Sequence, residues 1–118
     1  MSGARSRRKG KAGERELARV LTAEGFPATR GQQYRGGPSS PDVLCPSLPV
    51  HWEAKRCERL SLYNALGQAV REAGEGCVPV VAHRRSRHEW ITVLRLSDLL
   101  AILRESSFVE GTATEGEE

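Results

Sequence analysis

No run of 18 apolar residues occurs in the 118-residue chain, so no segment is long enough to cross a membrane as a helix. The apolar run nearest the basic N-terminus, Leu17 to Leu21, is broken by Arg19 and is too short for the core of a secretory signal. A soluble, cytoplasmic protein is expected. The three cysteines, Cys45, Cys57 and Cys77, form no CxxC pair, which argues against a disulfide framework and agrees with a reducing compartment. Joined with His51, His83 and His88 they do not make a zinc site either. Such sites draw two ligands from one knuckle two to four residues apart, whereas these sulfurs are 12 and 20 residues apart. The GxxxxGK phosphate loop, the GxSxG elbow and the HExxH metalloprotease motif are all missing. With 6 aromatics and 38% hydrophobic residues, the chain can bury one modest core rather than two.

Charge, by contrast, is plentiful and unevenly placed. The formal net charge is +3, but all 18 basic residues lie at or before Arg104, where they face 10 acids and leave a balance of +8. Residues 105–118 hold five acids and no base. Such asymmetry suits a body that meets a polyanion and a solvated acidic tail. The bases are 15 Arg to 3 Lys, and Arg grips phosphate through two parallel hydrogen bonds where Lys offers a point charge. Arg5, Arg7, Arg8, Lys9 and Lys11 sit among Ser and Gly with nothing to pack, and read as a flexible arm over residues 1–11 that touches phosphates. Arg84, Arg85, Arg87 and His88 fall between two apolar runs, as a charged hairpin loop would. Arg30, Arg35 and Arg56 are further candidates for DNA contact. The folded body is expected over 12–104 and a flexible acidic tail over 105–118.

Along the chain, Leu17, Val20 and Leu21 recur at helical spacing between Ala12 and Glu24, and Gly25 supplies the stop. Phe26 to Arg30 is a short extended run, and Gly31 to Pro41 has the composition of a loop. Asp42 to Cys45 reads as a strand, Pro46 to Pro49 as a turn, and Val50 to Lys55 as a returning strand. Ser61 is placed to cap a helix carrying Leu62, Tyr63, Leu66, Ala69, Val70 and Ala73, ended by Gly74. Val78 to Ala82 is apolar throughout, as in a strand covered on both faces. Trp90 to Leu94 is a further strand, and Ser97 is placed to cap a last helix over 98–103. Helix, three strands, helix, two strands, helix is the order of an α/β fold, a mixed sheet of about five strands flanked by helices.

Chemistry concentrates in Pro41-Asp42 and, one hairpin later, Glu53-Ala54-Lys55. Side chains alternate faces along a strand, so Val50, Trp52 and Ala54 share an apolar face while His51, Glu53 and Lys55 share the other. The hairpin can bring Asp42 to Glu53. Two carboxylates held together repel, and a divalent cation relieves that repulsion. Hard oxygen ligands select Mg²⁺, with Mn²⁺ as a substitute, and no small-molecule cofactor is implied. A metal so held would activate water against a phosphodiester while Lys55 orients the water or steadies the developing charge. In the first helix, at about 100° per residue, Glu14 lies about 20° from Leu21 around the axis, beside the core face, whereas Glu16 takes the ordinary solvated side. Glu14 is therefore a further candidate ligand of the metal or its water.

Arg8 to Leu17, Pro41-Asp42-Val43 and Glu53-Ala54-Lys55 together resemble the archaeal-type Holliday junction resolvases. These belong to the restriction-endonuclease-like nucleases with the PD-(D/E)xK signature. The similarity spans residues 8 to 94 and includes the order of elements. It implies a restriction-endonuclease-like core and a Mg²⁺-dependent homodimer that cuts two strands of a four-way DNA junction. By position it makes Glu14, Asp42 and Glu53 the metal-binding acids and Lys55 the catalytic lysine. Ser39 or Ser40 would correspond to an assisting serine, and Gln68 to a polar residue that faces the site from the following helix. Two other readings stay open at this level: the same chemistry on flaps, single strands or a restriction site, and a basic DNA-binding module without catalysis. The complete set of acids and lysine argues against the last.

Overall fold

The structure is a computed structural model that describes residues 2–31 and 41–108, with side chains from Gly10 onward. Its elements are α1 (Ser2–Ala23), β1 (Thr29–Arg30), β2 (Val43–Leu44), β3 (Val50–Arg56), α2 (Leu62–Glu72), β4 (Val78–Arg84), β5 (Ile91–Val93) and α3 (Leu96–Arg104). The expected order of elements is the order observed. The five strands form one sheet in the order β1-β2-β3-β4-β5. The β3–β4 pair is parallel and joined by α2, and the other pairs are antiparallel. This is the mixed α/β sheet of a restriction-endonuclease-like core.

α1 buries Leu17 and Ala18 against Val43, Cys45, Trp52, Val80 and Ala82 on one face of the sheet. α2 lies on the other face, where Ala65 and Ala69 meet Val81. Lying between two helices, β4 is buried from Pro79 through Ala82, which accounts for its unbroken apolar run. Trp52 is buried on the α1 side, as alternation requires.

Helix ends depart from expectation in instructive ways. α1 begins at Ser2 rather than at Ala12, so the segment expected as a free arm continues the helix. Its Arg, Lys and Ala residues are good helix formers and no proline interrupts them; the side chains of Arg5, Arg7, Arg8 and Lys9 lie outside the described residues. At the other end, Gly25 takes a φ of 100°. Gly25 N donates to Thr22 O and Phe26 N to Leu21 O, the paired bonds that satisfy a helix's last carbonyls. Ser61 occupies the cap position of α2 but makes no capping bond. Its hydroxyl accepts from Asn64 Nδ2 at 2.8 Å instead. Ser97 lies inside α3, whose cap is Arg95, and Asp98 in the first turn accepts from the Arg95 guanidinium at 2.9 Å. The expected tail begins directly after α3, with Glu105 as the helix's C-cap, and residues 109–118 lie outside the described residues.

One glycine controls how Asp42 enters the sheet. Gly31 is buried at the end of β1, and its N–H donates to Asp42 O at 2.8 Å. A Cβ there would overlap the Pro41 carbonyl oxygen. Gly31→Ala is therefore expected to destabilise the fold by about 1–3 kcal/mol through overpacking, read by denaturant unfolding. Because backbone rather than a flexible side chain must yield, Asp42 should shift, and whatever its carboxylate does should weaken with it.

Candidate active site

Asp42 stands where β2 begins. Its N–H donates to Trp52 O at 2.9 Å, and its carboxylate Oδ2 accepts from Ala54 N at 2.8 Å. Backbone and side chain thus both bond to β3, and the side chain takes the place of the next rung of the ladder. That double tether holds the carboxylate beside the strand that carries Glu53.

Glu53 points to the α2 side and is 2% exposed. Burial, with Asp42 and Glu72 both turned toward it, pushes its pKa up from 4.5 to about 9. His51, two residues earlier on the same face, is 3% exposed and places Nε2 2.7 Å from Glu53 Oε2. Burial lowers its pKa below the usual 6.5, with the Glu72 and Asp42 charges opposing. Lys55, two residues later, donates from Nζ to Gln68 Oε1 at 3.3 Å, and Gln68 Nε2 reaches Glu72 Oε2 at 3.4 Å. From α1, Glu14 accepts from Arg30 Nε at 2.8 Å. Its pKa is raised, chiefly by burial, with Arg30 opposing and the nearby Asp42 charge adding.

Of these groups Glu14, Asp42, Glu53, Lys55 and Gln68, with Arg56 beside them, line a single cleft of about 380 Å³. Glu14 reaches it from the α1 side and Gln68 from the α2 side, so the cleft lies where the sheet is flanked by both helices. The donor set fits a hard divalent cation: burial, with the Asp42 and Glu72 carboxylates beside it, holds the pKa of the Glu53 carboxyl well above its usual range, and a cation would relieve that cost. Ser39, Ser40 and Arg35 fall in residues 32–40, outside the described residues.

A family model for the archaeal Holliday junction resolvases (Hjc) matches residues 5–100. The chain belongs to that family. No curated protein and no solved structure matches it. Membership in a family of junction-resolving nucleases assigns this member to DNA recombination enzymes. It also gives the cleft its context, since the matched span contains every acid named above together with Lys55.

The basic residues of this resolvase-family chain divide by partner. Lys11, Arg85 and Arg87 are exposed, and Arg87 adopts a positive φ of 65° at the tip of the β4–β5 hairpin. Arg85 lies against the ring of His88. Arg30 pairs with Glu14. Arg56 Nε donates to Glu16 Oε1 at 3.3 Å, and Arg84 pairs with the other oxygen of the same carboxylate. Glu16 is thus no ordinary solvated residue: its side chain is 27% exposed and tied to two arginines. Helical angle places Glu16 away from α1's apolar face, but the ends of β3 and β4 pass beneath it.

His51 and Glu72 were not among the expected site residues. Each had a visible signal. His51 shares a strand face with Glu53, and Glu72 follows Gln68 by four residues, one helical turn along the same face of α2.

Proposed function

We propose that the chain is a metal-dependent endodeoxyribonuclease that resolves four-way DNA junctions as a homodimer, using Mg²⁺ with Mn²⁺ as a substitute. The observation that supports it is the convergence of Asp42, Glu53 and Lys55 on one cleft within a protein whose first 104 residues carry a net +8. Asp42 and Glu53 would hold the cation, with Glu14 reaching it directly or through water. When bound, such an ion polarises the scissile phosphodiester and lowers the pKa of the attacking water. Lys55 lies on rigid strand backbone, and its bond to Gln68 leaves ammonium protons to orient that water or meet charge growing on the phosphate. Arg85, Arg87 and Lys11 would contact the backbone of branched DNA.

Two paired cuts need two active sites, hence a symmetric dimer. α3 buries none of its residues among the described ones, leaving Leu96, Leu99, Leu100 and Ile102 exposed. That face would meet its counterpart in a second copy. Sedimentation at working concentration should return twice the 13.0 kDa chain mass; a monomer would sink the paired-cut reading.

The deciding assay compares a mobile four-way junction with matched duplex, flap and single-stranded DNA, in Mg²⁺ and in EDTA. Selective paired nicks in Mg²⁺ are expected. Equal cutting of all substrates would instead leave a general DNA nuclease, and no cutting would leave a binding module. Deleting residues 1–11 should weaken junction binding and flatten its salt dependence by about 0.9 of slope per lost phosphate contact. An unchanged slope would exclude the basic segment from the interface.

A further inference from the structure

The polar groups do not stop at the cleft. Behind it, under α2, the ligand atoms of His51, Glu53 and Glu72 all lie within 4.8 Å of one another. Two of these three side chains, those of His51 and Glu53, are 3% exposed. Next to them on the same face Val81 packs against Ala65 and Ala69, so an apolar side chain at position 51 would suit this layer. The chain instead places an imidazole there, aimed at Glu53, with a second carboxylate brought down from the helix. Burying such groups is costly unless they are paired, and here they turn to one another, with His51 Nε2 2.7 Å from Glu53 Oε2. Bonds of about 2.0–2.2 Å to nitrogen and oxygen put the ligand atoms of one metal site within about 4.4 Å of each other. A small side-chain rotation reaches that separation from the one observed. Glu72, the half-buried member, gives an entry route from the α2 side, and the Gln68 carboxamide orients its carboxylate at 3.4 Å.

We propose that His51, Glu53 and Glu72 form an inner site for a divalent transition-metal ion, with Glu53 shared between it and the outer position at Asp42. An imidazole nitrogen beside two carboxylates favours Mn²⁺ or Zn²⁺ over Mg²⁺, which prefers an all-oxygen shell. The sharing of Glu53 rests on the nuclease reading above; the inner site does not. The other charged groups facing it are Asp42 across the strand pair and Lys55, held off by Gln68.

The test uses the full chain with Mn²⁺ as the probe. Pulsed electron paramagnetic resonance should show ¹⁴N modulation from one directly bound imidazole in the unaltered protein, and His51→Gln should abolish it. Glu72→Gln should weaken the nitrogen-coupled ion by about 100-fold. Asp42→Asn should leave the nitrogen coupling in place while junction cleavage is lost. Bound Mn²⁺ without nitrogen modulation in the unaltered protein would overturn the proposal whatever the variants do. So would a coupling that survives His51→Gln and therefore arises from His83 or His88. Nitrogen coupling in a protein that cuts no junction would uphold the inner site and overturn the nuclease reading alone.

Discussion

Asp42→Asn is expected to lower junction cleavage on the order of 10³-fold while leaving junction binding intact or tighter. The carboxylate would hold the cation and also sits close to where phosphate must approach, so neutralising it removes catalysis and repulsion together. Asparagine keeps an oxygen able to accept from Ala54 N, the bond made now at 2.8 Å. The strand pair should therefore survive, and the melting temperature should change little. Asp42→Ala loses that bond as well and should destabilise by about 1 kcal/mol, which separates the residue's structural part from its chemical one. Glu53→Gln should show the same loss of cleavage. An Asp42→Asn protein that still cuts junctions in Mg²⁺ at the unaltered rate would refute the site.

In EDTA, the protein is expected to lose stability as pH rises from about 7 to 9. Glu53 has a folded pKa of about 9 against an ordinary 4.5, so between those values the folded chain keeps a proton that the unfolded chain releases. Stability falls with rising pH wherever the folded state binds more protons. His51 acts in the opposite sense. Its lowered pKa makes the folded state bind fewer protons around and below pH 6.5, so its contribution is lost on acidification. The window above pH 7 therefore reports Glu53 with little interference. Adding a divalent cation should restore most of the lost stability at pH 8 to 9, because the ion replaces the proton and binds only the folded site. Glu53→Gln should melt higher than the unaltered protein at pH 8 in EDTA and should lose the slope. Thermal unfolding across this range, with and without Mn²⁺, checks each point. A flat profile for the unaltered protein in EDTA would show that Glu53 is not a suppressed carboxyl.

These two results bear on the two sides of one hairpin, Asp42 where β2 begins and Glu53 on β3. Period-two alternation along β3 says that Glu53 and Lys55 face the same way and that Trp52 faces the opposite way, and the structure agrees. The order of elements and the stop at Gly25 were readable because each depends on residues a few positions apart. The hairpin from Asp42 to Glu53 was readable because it is short.

What alternation does not say is what covers a face. His51 was visible on the Glu53 side, yet a strand pattern alone leaves that side as readily wet as buried. Only the passage of α2 across it buries His51 and Glu53, brings Glu72 to them, and raises one carboxyl's pKa far above its usual range. Glu16 teaches the same lesson from α1. Its helical angle placed it in solvent, while arginines 40 and 68 residues away in sequence fold back to meet it. Ser61 is a smaller case, its hydroxyl taken by Asn64 instead of the backbone N–H it was suited to cap.

By itself, then, the sequence determined the α/β order, the faces of the strands, and the acids and lysine that belong together. Those follow from local geometry, where spacing and direction are nearly the same thing. The tertiary structure alone decided which of those groups lose their water and which arginines are already paired. It also decided that a histidine and a helix carboxylate join Glu53 beneath the cleft. The reason is physical: desolvation and pairing depend on which distant segment packs above a residue, and periodicity along the chain carries no information about that.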